Sequence, residues 1–145
     1  MDDTKKKIVS YHDLEVYQDS YKNCVIIHKE ILPLLPASEK FDLRDQLSRS
    51  TKAIPRLIAE GYAKRHQKAG FQKYLDDSMG ECNETIVGLQ QIVDIYNIEA
   101  DLCKRLIGEY DKTGRQLYRL SESWTKFVGK KYEIPNPLTK RASLP

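Results

Sequence analysis

Sulfur, tryptophan and phenylalanine are scarce in this chain of 145 residues, which holds three Cys, two Met, one Trp and three Phe. An odd number of cysteines with no Cys-x-x-Cys pair argues against a disulfide framework and for a reducing, cytoplasmic setting. Long apolar runs are missing too. The longest spans Cys24 to Ile27, far short of the roughly 20 residues that a membrane-spanning helix needs. Met1 to Lys7 is charged with no apolar stretch behind it, so no secretory signal is expected. The chain has no Walker loop, no Gly-x-Ser-x-Gly elbow and no dinucleotide fingerprint. Its length suits one domain and is too short for a kinase or a Rossmann domain with a substrate domain.

What is present is helical periodicity, in four segments. The first, from about Leu14 to Leu35, places Tyr17, Tyr21, Cys24, His28, Ile31 and Leu35 at alternating spacings of four and three, one side of a helix. Pro33 and Pro36 stop it, since proline has no N–H to continue the ladder. The second opens near Ser38 or Asp42 as N-cap and turns Leu43, Leu47, Ile54, Leu57 and Ile58 inward. Pro55 interrupts it and predicts a kink or local break, with Gly61 marking a close backbone approach or the helix end. The third aligns Phe71, Leu75, Ser78, Cys82, Thr85, Leu89, Ile92 and Tyr96. The fourth aligns Cys103, Leu106, Tyr110, Thr113, Leu117, Leu120, Trp124 and Phe127. Long helices with three-four seams and short connections predict an all-α, antiparallel up-and-down four-helix bundle over residues 11–128. Residues 1–10 and the proline-bearing 129–145 read as flexible ends.

The formal net charge is +3, but the charges are segregated. Residues 41–73 hold eight Lys/Arg against three Asp/Glu, and residues 104–145 hold ten against four. Between them, residues 74–103 hold seven acids and no base. Arg105, Lys112, Arg119 and Lys126 recur every seven residues, with Arg115 beside them, as one outer strip of the fourth helix. Arg49, Lys52 and Arg56 form a second strip, and the following loop adds Lys64, Arg65, His66 and Lys68. Rows of cations suit phosphate contacts that weaken with salt. Tyr62, Tyr74 and Tyr118 interleave with them only sparsely, a weak case for base stacking. The alternatives are solvated faces, or pairing with Asp76, Asp77, Glu81 and Glu84, inside the subunit or across an oligomer interface.

Catalytic patterns do not assemble. None of the three histidines follows a Glu by three residues, which excludes the usual di-iron pattern. Cys24, His28, Cys82 and Cys103 all fall on inward positions and could supply four zinc ligands if they shared one level. Free cysteines also simply fill core space, where burial makes thiols inert. The expectation is no metal, no cofactor and no enzymatic activity. Glu60 is expected to satisfy backbone donors near Pro55 or to meet Arg65.

Several strings carry a resemblance. They are Asp13-Leu14-Glu15-Val16-Tyr17-Gln18, Gln46-Leu47-x-Arg49-Ser50, and Ala53-Ile54-Pro55-Arg56-Leu57-Ile58-Ala59-Glu60-Gly61. Phe71, Tyr74-Leu75, Ser78, Gly80, Glu81 and Glu84 follow. Over roughly residues 10–128 the chain resembles the small bacterial four-helix bundle proteins found in intervening sequences of large-subunit ribosomal RNA genes. That family is related to the accessory variability determinant proteins of diversity-generating retroelements. Tyr17 stands where the family usually has Trp, and Arg56-Leu57 where it often has Ser-Asn. The resemblance implies a non-catalytic bundle in a ring, commonly a homopentamer, whose retroelement-associated relatives bind a reverse transcriptase and nucleic acid through a basic surface. The resulting expectation is a homo-oligomer that binds RNA or DNA, accessory to a reverse transcriptase or other nucleic-acid enzyme. Arg49, Lys52, Arg56, Lys64, Arg65, Arg105, Lys112, Arg115 and Arg119 are its expected phosphate partners. The alternative is a protein-interaction scaffold whose charge stripes serve assembly and a protein partner.

Overall fold

A computed structural model describes residues 7–67 and 69–131 of the chain, with side chains through Trp124. Of the expected tail over 129–145, residues 129–131 are the last of a helix and the rest lies outside the described residues, as do the loop cation Lys68 and the side chains of Lys126 and Phe127. Ser10 starts the helical part. Its Oγ accepts from the His12 N–H at 3.0 Å, while Asp13 Oδ2 accepts from the N–H groups of Val9 and Ser10 at 2.8 and 3.0 Å. This reciprocal cap closes a 3-10 turn at Tyr11–Asp13 and hands the chain to α1, Glu15–Ile26. α1 widens into a π-helical turn at Ile27–Ile31 and ends in a 3-10 turn at Leu32–Leu34 that contains Pro33.

α2 is Leu43–Ala63, α3 is Gly70–Gln91 with a terminal π turn at Ile92–Tyr96, and α4 is Ala100–Lys131. No strand occurs among the described residues. α3 packs along both α2 and α4, and α1 closes the ring by touching α2 and α4. That is the antiparallel up-and-down four-helix bundle expected from the periodicity.

Three expectations about the elements need correction. Asp42 precedes α2 without capping it by its side chain; Glu39 Oε1 takes that role, accepting the Leu43 N–H at 3.0 Å. A carboxylate one turn upstream reaches the same orphan donor and suits the positive helix end. Of the kink or local break expected at Pro55, the break does not occur, since α2 is helical from Leu43 to Ala63. The Pro55 ring is buried against α1, so packing holds the turn that the missing hydrogen bond weakens.

Up to the π turn the seam of α1 is displaced by one residue from the expected stripe, whose last members, Ile31 and Leu35, are buried as expected. Val16, Ser20, Asn23, Ile27 and Ile31 are buried, whereas Tyr21 is 55% exposed, and Tyr17, Cys24 and His28 are half-buried. One residue turns a helix by about 100°, enough to carry the tyrosines from the centre to the α1–α2 border. The dry β-branched side chains take the interior. Ser20 joins them at low cost because its hydroxyl donates to the Tyr17 carbonyl at 3.2 Å.

α3 and α4 follow the expected seams, with Phe71, Leu75, Cys82, Leu89 and Ile92 meeting Cys103, Leu106, Tyr110 and Leu117 in one core. Small residues let α2 and α3 approach closely. A Cβ added at Gly61 would lie 2.6 Å from Tyr74 Cβ, and one at Gly88 would lie 2.7 Å from Leu47. At the α2–α3 end, Tyr62, Phe71 and Trp124 meet edge to face.

Candidate nucleic-acid interface

The nine expected phosphate partners divide into engaged and free groups. Lys64 Nζ donates to the Tyr74 hydroxyl at 2.8 Å and lies 3.7 Å from Glu60, and those contacts raise its pKa, the tyrosine most. Arg65 lies over the Tyr62 ring, with Cζ 4.0 Å from the centroid, and donates from Nη1 to the Tyr62 carbonyl at 2.7 Å. Arg65 is therefore a packing residue of the α2–α3 end. Its carbonyl accepts from Trp124 Nε1 at 3.3 Å. Glu60 meets Lys64 and Tyr74, not Arg65 as one expectation had it.

On α4, Arg115 pairs with Asp111 at 3.0 Å and Lys112 reaches Glu15 of α1 at 4.0 Å. Both pairs are exposed, where an ion pair contributes little. Arg49, Lys52 and Arg56 on α2 and Arg105 and Arg119 on α4 are exposed and form no salt bridge with a described residue. The two strips lie on non-adjacent helices, so they form two separate basic faces.

The acidic segment does not neutralise them. Asp77 pairs along its own helix with Lys73 at 3.4 Å. No salt bridge joins α3 to α2 or α4 among the described residues. Glu81 and Glu84 line a polar groove with Arg49 at the α2–α3 border without closing an ion pair. Burial, then the neighbouring Glu84 and Asp77 charges, pushes the Glu81 carboxyl above its usual range.

The thiols form no reactive or metal-binding cluster. Cys24 Sγ lies 3.6 Å from His28 Nδ1, but that ring already spans the Cys24 carbonyl at 2.8 Å and Ser48 Oγ at 3.1 Å. Cys82 and Cys103 sit on α3 and α4, and no three metal-ligating residues come together among the described residues. The single level that the zinc alternative required is not formed. Burial raises the pKa of all three thiols, to about 12 for Cys82 and about 11 for Cys103.

One feature was missed in the sequence. Between α1 and α2 runs a groove of about 400 Å³, walled on one side by Tyr11, Tyr17 and Tyr21 and on the other by Lys52 and Arg56. Tyr11 and Tyr17 meet edge to face at 4.9 Å, and Tyr17 and Tyr21 are tilted at 5.9 Å. Burial, then Tyr11 and Tyr21, pushes the Tyr17 phenol up. The signal was the Tyr17/Tyr21 spacing of four, which the displaced seam assigned to the core. Tyr62 and Tyr74, singled out instead, are occupied by Arg65 and Lys64, while Tyr118 stands 55% exposed beside Arg115 and Arg119.

The model of the 23S rRNA-intervening sequence protein family matches residues 12–119, from the first 3-10 turn well into α4. The chain belongs to the 23S rRNA-intervening sequence protein family. No curated protein matches it. The match to this intervening-sequence family contains the whole Ala53–Gly61 string and all nine expected phosphate partners, and ends before Lys126. No helix of the described residues is long and apolar enough to cross a membrane.

Proposed function

We propose that this intervening-sequence family member is a non-catalytic, homo-oligomeric bundle that binds nucleic acid through the basic faces of α2 and α4. In this reading it is accessory to a reverse transcriptase or other nucleic-acid enzyme. The observation that carries the reading is the uncompensated charge: Arg49, Lys52, Arg56, Arg105 and Arg119 are exposed with no acidic partner among the described residues. Fixed cations along a rigid helix release counterions from a phosphate backbone on contact, and that release supplies affinity without base recognition. Two separate faces suit an oligomer, where neighbouring subunits bring several strips onto one strand. A homopentameric ring, as the resemblance implies, is one such assembly.

The test neutralises two unpaired cations of α4. Arg105→Gln with Arg119→Gln is expected to weaken binding of a mixed RNA and DNA pool and to lower the salt slope of log affinity by about two. The oligomer mass read by light scattering should be unchanged. Unaltered affinity, with a changed mass, assigns the strip to assembly and favours the scaffold reading. The specific support for that alternative is the acidic face of α3, whose Glu81 sits among like charges with no cation bonded to it.

A further inference from the structure

We propose that the α1–α2 groove is a stacking site for an unpaired base, which makes the protein a reader of single-stranded nucleic acid. The inference rests on the nucleic-acid reading above and names the form of nucleic acid taken. Its basis is the pairing of two chemistries across one slot. Tyr11, Tyr17 and Tyr21 present aromatic surface, and none of their phenols hydrogen-bonds to a described residue. Opposite them, Lys52 and Arg56 stand one helical turn apart with no salt bridge to a described residue.

The floor between the walls is apolar, built from Val25, Pro55 and Ala59. Pro55, buried beneath the slot, adds no N–H to it, and Ala59 one turn on leaves the recess open. A volume near 400 Å³ lies within the range that ligand sites occupy. A nucleobase has an apolar π-face matched to the tyrosines, and its phosphate carries the charge matched to Lys52 and Arg56. A duplex meets only half of this description, because stacking hides its base faces from side chains. A strand with unpaired bases meets all of it. Free mononucleotide shares the chemistry but reaches only one slot, whereas a strand also spans the neighbouring cations.

The test uses the full chain with a labelled, unstructured RNA 20-mer, the same RNA in a duplex, and a mononucleotide as competitor. Tyr21→Ala is the variant, since that ring is 55% exposed and its removal leaves the core intact. The single strand is expected to bind more tightly than the duplex. Tyr21→Ala should lose roughly tenfold or more on the strand and little on the duplex, while Tyr21→Phe keeps the affinity. Circular dichroism confirms that helix content is kept.

Equal losses on both forms, or no loss from a folded Tyr21→Ala, overturn the proposal. If duplex binding then still responds to Arg105→Gln with Arg119→Gln, the nucleic-acid reading survives and only the groove fails. No binding of either form at low salt ends both. Competition by mononucleotide without strand binding overturns the strand assignment. A changed oligomer mass in Tyr21→Ala, without a change in binding, gives the groove to a second copy of the chain and overturns it as well.

Discussion

Ser50 on α2 and Thr85 on α3 share a 2.8 Å hydrogen bond, and both residues are almost fully buried. Tyr110 on α4 is also fully buried, but its hydroxyl has no partner among the described residues. The two cases separate what a buried hydroxyl contributes from what it costs. Ser50→Ala leaves the Thr85 hydroxyl without its cross-helix partner and is expected to destabilise by about 1–3 kcal/mol. Tyr110→Phe keeps the ring and removes an unpartnered polar atom whose burial already pushes the phenol up, so it is expected to be neutral or stabilising by about 1 kcal/mol. Urea melts of the two variants check both signs, and a loss in Tyr110→Phe comparable to that in Ser50→Ala would refute the contrast. At this scale the sequence was readable wherever a residue's size decided its place. Ser78, Thr85 and Thr113 lie at inward positions of regular seams, and all three are buried there.

Among the elements, α3 and α4 were legible because their small and apolar residues fall on a single stripe. α1 carries two competing stripes one residue apart, Tyr17-Tyr21-Cys24-His28 and Val16-Ser20-Asn23-Ile27. The first stands out because it carries the two large rings, although Val16 and Ile27 are the stronger hydrophobes and Ser20 satisfies its own hydroxyl inside the helix. Misplacing that stripe hid the groove, because tyrosines assigned to the core cannot also line a surface slot. The start of α2 was obscured for a different reason. Its cap comes from Glu39 in a preceding 3-10 turn, and Glu39 also accepts from the Tyr96 hydroxyl, 57 residues away in the chain. No local pattern encodes that contact.

This tie between the α1–α2 and α3–α4 connections makes a pH prediction. The Tyr96 hydroxyl, then the Leu43 N–H, holds the Glu39 carboxyl below its ordinary 4.5. A lowered carboxylate contributes stability that is complete above 4.5 and is lost as pH falls through the lower folded value. Tyr96 is raised above its ordinary 10.0, chiefly by the hydrogen bond to Glu39, so its share is complete below 10.0 and lost as pH rises through the higher folded value. Glu39→Ala should therefore melt below the unaltered chain from about pH 5 to 9, with the gap closing as pH falls from 4.5 through the lower folded value. Parallel melting curves across the whole range would show that the contact does not titrate with folding.

For the whole molecule, the arrangement of charge matters more than its sum of +3. α3 lies between α2 and α4, so an acidic face is flanked by basic ones, yet no salt bridge crosses between them among the described residues. Glu81 shows the result. Its raised carboxyl means that ionisation near neutral pH works against the isolated subunit, most strongly through burial and then through Glu84 and Asp77. A cation from a second copy would relieve that cost, and exposed strips on α2 and α4 are the cations available. Since the α4 cations are assigned above to phosphate, the oligomer proposed there is expected to place α3 of one subunit against the α2 strip of the next, whose Arg49 already borders Glu81 and Glu84. Glu81→Lys with Glu84→Lys should lower the mass read by light scattering to that of a monomer without loss of helix content, as high salt should for the unaltered chain. An oligomer unchanged by both treatments would exclude α3 from the contact and leave its acidic face to solvent or another partner. If the variant becomes monomeric and still binds nucleic acid, phosphate binding does not depend on the assembly, and the cations that hold a neighbour are not all needed to hold a strand.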